Sequence, residues 1–180
     1  MKHIIVEGCD GSGKTGLIEE LSKHFNLVRH LRASDSITGP VKNLRDWVER
    51  DLDYLEGSEL DPDRWTYIYD RHPLISEPIY ANYRWVNPGL ADGFDDENWI
   101  RSTTKDMGSL SILVICSPPY EEVERVLQMQ GREAHMPGVF ENRFSIWKRY
   151  VTLCWPGTVI RYDRTRETLE DLIGTLEKMN

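Results

Sequence analysis

Eight residues near the amino end constrain this chain more than any others. Gly8-Cys9-Asp10-Gly11-Ser12-Gly13-Lys14-Thr15 matches the glycine-rich pattern that cradles nucleotide phosphates. That pattern works only between a strand and a helix, and both flanks are legible. Lys2–Glu7 is a short apolar run that reads as a buried strand, and Thr15–Phe25 places Leu17, Ile18 and Leu21 on one helical stripe. Gly8, Gly11 and Gly13 let backbone N–H groups converge on phosphate oxygens with no Cβ in the way, and Asp10 and Ser12 lie in the same loop. The helix adds its positive end. Lys14 is placed to reach the β- and γ-phosphates, and the Thr15 hydroxyl suits magnesium, so ATP and Mg2+ are the expected ligands. Gly16 is the odd residue, because glycine costs about 1 kcal/mol inside a helix. Close packing near a nucleotide is one reason for it.

The rest of the chain supplies the context such a loop needs. A second strand reads over Asn26–Leu31. Pro40 precedes a helix carrying Val41, Leu44, Trp47 and Val48, and Asp61-Pro62 opens a short helical turn. Thr66–Asp70 is a third strand. Ser109–Cys116 is the most apolar run and reads as a central strand. Pro118-Pro119 starts a helix with Val123, Val126 and Leu127. Gly131–Gly138 reads as a mobile loop, Val139–Cys154 as a helix, Thr158–Tyr162 as a fifth strand and Thr165–Lys178 as a closing helix. Arg84–Met107 is the least regular stretch, with a helix expected from Asp95. Strands alternating with helices imply a three-layer α/β/α sandwich around a mostly parallel five-stranded sheet. No repeat, low-complexity segment or linker divides the 180 residues, so one domain over 1–180 is expected.

Composition narrows the partners. Hydrophobic residues make up 39% and charged residues 29%, which fits a globular chain rather than a disordered one. No apolar run approaches the roughly 18 residues of a membrane span. The opening Met-Lys-His-Ile-Ile-Val-Glu is charged too early for a secretory signal. Cys9, Cys116 and Cys154 have no metal-ligand spacing and read as reduced thiols of a cytoplasmic protein. The formal charge of −8 argues against wide, nonspecific wrapping of DNA, while 22 Lys and Arg leave room for a local basic cleft.

The third strand ends in Asp70, placed to hold magnesium or its water beside Thr15. Arg71 follows, and strand alternation aims it the other way, over the carboxyl edge of the sheet where open α/β sheets bind ligands. With both segments in view, the chain resembles the thymidylate kinase-like group of P-loop nucleoside and nucleotide kinases. The resemblance rests on "VEGCDGSGKT" (Val6–Thr15) and "YDRHPLISEPIY" (Tyr69–Tyr80), and more weakly on "PPYEEVERVLQMQGRE" (Pro118–Glu133). The order of elements agrees over nearly the whole chain, and "HMPGVFENRF" (His135–Phe144) has the look of divergent phage members. The resemblance implies that Lys14 and Thr15 bind the donor, that Asp10 approaches the acceptor sugar, and that Arg71 binds the acceptor's phosphate. Arg125 and Arg132 would be lid arginines that close over the transferring group. One departure is plain: where thymidylate kinases carry an arginine–glutamate–proline–glycine–glycine run, this chain reads "RASDSITGP" (Arg32–Pro40).

That departure leaves the acceptor open. A phosphate acceptor needs arginines and no general base, and Arg32, Arg71, Arg84, Arg125 and Arg132 could serve it. A hydroxyl acceptor needs a carboxylate near its proton, and Asp35, Asp70 and Glu77 are candidates. The leading expectation is a deoxynucleoside monophosphate kinase most like thymidylate kinase. The alternative is a kinase acting on the hydroxymethyl group of 5-hydroxymethyluracil in phage DNA, which needs an aromatic slot; Trp65, Trp85 and Trp99 are the least regularly placed tryptophans. A nucleotide-dependent switch ranks below both, because no Asn-Lys-x-Asp guanine motif is present.

Overall fold

Five strands form one sheet: β1 (Lys2–Glu7), β2 (Val28–His30), β3 (Trp65–Asp70), β4 (Ser111–Cys116) and β5 (Thr158–Tyr162). The structure is a computed structural model that describes residues 2–30, 43–57, 65–80, 83, 96–131 and 138–179. The strand order is β2-β3-β1-β4-β5, and all neighbouring pairs are parallel. The chain therefore leaves β1 in both directions, toward β3 and β2 on one side and toward β4 and β5 on the other. The carboxyl end of β1 is the topological switch point, where ligands bind in open α/β sheets.

Seven helices are described: α1 (Lys14–Phe25), α2 (Leu44–Gly57), α3 (Pro73–Tyr80), α4 (Glu97–Leu110), α5 (Tyr120–Gln130), α6 (Arg143–Val151) and α7 (Leu169–Glu177). Strand alternation sorts the core into two halves. Ile5, Tyr69, Leu113 and Ile115 face helices α2 to α6. Ile4, Val6, Ile68, Ile112 and Val114 face α1 and α7, including Leu17, Ile18 and Leu21 as their spacing predicts. The result is a three-layer α/β/α sandwich. Every residue of β4 is buried, as expected of a central parallel strand covered on both faces. No described helix is long and apolar enough to cross a membrane.

Several boundaries differ from the sequence reading, each for a local reason. Asn26 adopts the left-handed conformation and caps α1, so β2 begins at Val28 rather than Asn26. The run Ser109–Cys116 is split: α4 continues to Leu110 and the strand starts at Ser111. Two serine hydroxyls there donate to late carbonyls of α4, Ser109 to Asp106 and Ser111 to Met107, both at 2.7 Å. The expected helix Val139–Cys154 shortens to α6, because Asn142 turns back to donate to the Gly138 carbonyl at 2.7 Å. The closing helix starts at Leu169 rather than Thr165. Asp163 captures the Thr165 backbone N–H and hydroxyl, and Thr168 with Asp171 forms a capping box. In α2 the stripe Leu44, Trp47 and Val48 is buried as its spacing predicts. Asp61-Pro62, Leu31 and Val41 lie outside the described residues, as does all of the Gly131–Gly138 loop but its two ends.

Leu113 is wholly buried at the middle of β4. Leu113→Ala is expected to destabilise the fold by about 2–5 kcal/mol, read as a lower urea midpoint with an unchanged denaturant slope.

Candidate active site

The turn from β1 into α1 is built around close backbone approach. A Cβ on Gly8 would lie 2.6 Å from the Ser12 hydroxyl and 2.8 Å from the Cys116 carbonyl at the end of β4. Gly13, with φ of 93°, is the N-cap of α1, and no side chain caps that helix end. Lys14, the first residue of α1, is only 7% exposed, and its ammonium donates to the Cys9 carbonyl at 2.7 Å. Burial, and then the charge of Arg71, lowers its pKa to about 8. The lysine expected to meet phosphate thus folds back onto its own loop. Gly11, Gly13, Lys14, Thr15 and Gly16 line a cavity of about 440 Å³. A Cβ on Gly16 would meet nothing within 4 Å, so packing against the protein itself does not call for this glycine.

Asp10 and Arg71 line the same cavity. Arg71 does not owe its direction to strand alternation. It lies past the end of β3 in the left-handed region, with φ of 70°, and donates its N–H to the Val6 carbonyl at 3.1 Å. This conformation costs a non-glycine residue about 1–2 kcal/mol. Its guanidinium makes an ion pair with Asp10, donates to the Tyr80 hydroxyl at 3.0 Å and lies over the Tyr80 ring.

Glu7 holds that turn from below. It is wholly buried at the end of β1. One carboxylate oxygen accepts the His72 backbone N–H at 2.7 Å, and the other accepts the Tyr150 hydroxyl at 2.9 Å. Burial raises its pKa to about 7, against the hydrogen bond from His72, the charge of Arg71 and the Tyr150 hydroxyl. The sequence reading passes over Glu7 as a role-bearing residue. The available signal was a charged residue on the same face as Ile5, directly after an apolar run.

The remaining candidates distribute unevenly. Thr15 is exposed within the cavity. Asp70 is 1% exposed and pairs with Val6 in register, on the sheet face covered by α1. Asp70 is not among the residues that line the cavity with Thr15, and among the described residues no group of three His, Cys, Asp or Glu side chains could hold a metal. Arg125 sits on the exposed side of α5, where Glu122 grips it with two bonds of 2.8 Å, and it does not line the cavity. Glu77 is half-buried on α3, away from the cavity lining. Arg32, Asp35, Arg84, Trp85 and Arg132 lie outside the described residues. Trp99 packs against the core with the Arg45 guanidinium 4.8 Å over its ring.

Val126, Gln130 and Arg164 line the cavity as well, and Arg164 is the charged one. Arg164, just after β5, lies so close to Gly13 that a Cβ there would be 2.9 Å from its guanidinium. The signal was legible: Tyr-Asp-Arg occurs twice, as Tyr69–Arg71 at the end of β3 and as Tyr162–Arg164 at the end of β5.

The whole arrangement has counterparts among solved structures. The YorR protein of Bacillus subtilis, solved in complex with phosphorylated GDP, superposes with a TM-score of 0.62 at 16% identity, covering 98% of this chain and 96% of that one. Deoxyadenosine kinase from M. mycoides with bound dATP gives 0.58 at 16% identity over 98% and 99%. Thymidylate kinase from Candida albicans gives 0.56 at 12% identity over 99% and 90%. The chain has the P-loop kinase fold. No family model matches the sequence, and no curated protein does. In this P-loop kinase fold the phosphate loop, Arg71 and Arg164 converge on a single cavity at the carboxyl edge of the sheet.

The buried carboxyl of Glu7 makes stability depend on pH. A carboxyl with a folded pKa near 7 and an ordinary unfolded value of 4.5 favours the protonated folded state. Its contribution is complete below pH 4.5 and is lost as pH rises through about 7. Glu7→Gln should remove this slope, so the stability of wild type relative to the variant should fall across that window, as read by urea titrations at fixed pH.

Proposed function

We propose that this protein is an ATP-dependent phosphotransferase acting on a deoxynucleotide-type acceptor, most like a deoxynucleoside monophosphate kinase of the thymidylate kinase kind. The observation that carries the reading is one shared cavity, lined by Asp10, Lys14 and Thr15 of the glycine-rich loop and by Arg71 from just past β3. Phosphoryl transfer asks little covalent chemistry of a protein; it asks that donor and acceptor be held in line and that developing charge be neutralised. Support comes also from fold neighbours solved with nucleotides, among them a deoxyadenosine kinase with its products dCMP and dCDP.

In this reading the N–H groups at the start of α1 receive the donor's phosphates. Lys14 turns from the Cys9 carbonyl to the β- and γ-phosphates, whose charge restores the protonated ammonium that burial disfavours. Magnesium, held by Thr15 and backed by Asp70, would offset phosphate charge. Asp10 approaches the acceptor sugar, and Arg71 exchanges part of its Asp10 pairing for two parallel bonds to the acceptor's phosphate. Arg32 and Asp35 complete the acceptor side, while Arg125 and Arg132 close over the transferring group, Arg125 after leaving Glu122. For a base in DNA, the Trp99 ring is not open as a slot, since Arg45 already covers it. The free thiols of Cys9, Cys116 and Cys154 suit a cytoplasmic setting.

Two measurements test the reading. Lys14→Ala should lower turnover by roughly a hundredfold or more while the circular dichroism spectrum is kept. Wild-type turnover in that folded variant would remove the donor assignment.

Arg71→Lys separates the acceptor classes. Its kcat/KM for a deoxynucleoside monophosphate should drop by a factor equivalent to about 2–3 kcal/mol, with ATP affinity little changed. The parent nucleoside should lose far less. Phosphorylation of DNA bearing 5-hydroxymethyluracil, with no activity on free nucleotides or nucleosides, would overturn the monophosphate kinase reading.

A further inference from the structure

Arg164 has no place in the reaction as described so far, yet it lies in the cavity. Its side chain rests on Gly13, the N-cap of α1, occupying the space that a side chain at that position would fill. A cation placed against the positive end of a helix is repelled by it. The compensation in this structure is Glu122, which accepts from the Arg164 guanidinium at 3.1 Å. The same carboxylate accepts two bonds of 2.8 Å from Arg125. One carboxylate thus serves two arginines, beside a cavity that also presents Lys14 and Arg71. The arrangement is short of negative charge.

The character of the cavity says what kind of ligand supplies that charge. Among the described residues Val126 is the one aliphatic side chain in its lining; three of the others are glycines and four carry charge. A purine ring needs apolar walls, whereas a chain of phosphates needs N–H groups and cations. Gly16 adds to this. Its exposed face opens on the cavity with nothing within 4 Å of a Cβ, so the helix keeps room at its first turn that the protein does not fill.

We propose that Arg164 is a polyphosphate-contacting residue of the donor site, released from Glu122 to grip the donor's phosphate chain where it crosses Gly13 and Gly16. The proposal rests on the donor reading given above and adds to it a cation from the β5–α7 turn, opposite Arg71. Glu122 is then the parking partner that holds Arg164 until an anion takes its place.

The test uses the whole chain, with ATP and inorganic tripolyphosphate as probes and dissociation constants from titration calorimetry. Arg164→Gln is expected to weaken both probes alike, by roughly tenfold or more, the scale of a lost charge-assisted hydrogen bond. Glu122→Gln is expected to tighten both severalfold, and that gain should shrink in the Arg164→Gln background, where only Arg125 is left to be freed. A purely structural Arg164–Glu122 pair predicts that both single variants act in the same direction, which would overturn the proposal. So would a loss confined to ATP, which would make Arg164 a contact to the base or sugar. An equal gain from Glu122→Gln in both backgrounds would also overturn it, by showing a general charge effect. If Lys14→Ala abolishes tripolyphosphate binding while Arg164→Gln leaves it intact, the donor site stands and the role of Arg164 falls. If the wild type binds neither probe, the donor reading fails and takes the proposal with it.

Discussion

The two hydrogen bonds accepted by Glu7 tie together everything that meets at the cavity. Glu7 closes β1, the central strand that leads into the phosphate loop. One oxygen takes the backbone N–H of His72, and the other takes the hydroxyl of Tyr150 on α6. The first bond fixes the residue next to Arg71 and so helps to hold a left-handed turn that is costly for arginine. The second brings α6 against the same point, where Tyr150 also meets the ring of Tyr80. A buried carboxyl is tolerated because both oxygens are satisfied and because its pKa moves toward neutrality.

Charge in the cavity follows a consistent pattern. Arg71 is matched by Asp10, and Arg164 by Glu122. Lys14 has a carbonyl as its hydrogen-bond acceptor, and burial pulls its pKa down. In each case the cation is held by an oxygen acceptor through a charge-assisted hydrogen bond.

Much of the fold was legible because its signals are local. The phosphate loop, the apolar run of β4 and the stripe on α1 each depend on residues within a few positions of one another. The errors cluster at element ends, where side chains compete with the backbone. Asn26 caps α1 early, Ser109 and Ser111 prolong α4, and Asp163 delays α7. Gly16 was legible as an anomaly and not as a reason, since nothing described packs within 4 Å of where its Cβ would lie.

By itself the sequence determined the turn from β1 into α1, because a glycine-rich loop between an apolar strand and an amphipathic helix is specified by residues adjacent in the chain. Only the tertiary structure decided which arginines share that site. Arg71 and Arg164 follow the same Tyr-Asp-Arg triplet, yet they reach the cavity from β3 and β5, with β1 and β4 between those strands in the sheet. Arg125, closer in sequence to a lid motif, is turned outward onto Glu122. Strand order and a single left-handed residue set these directions, and both depend on contacts between residues far apart in the chain.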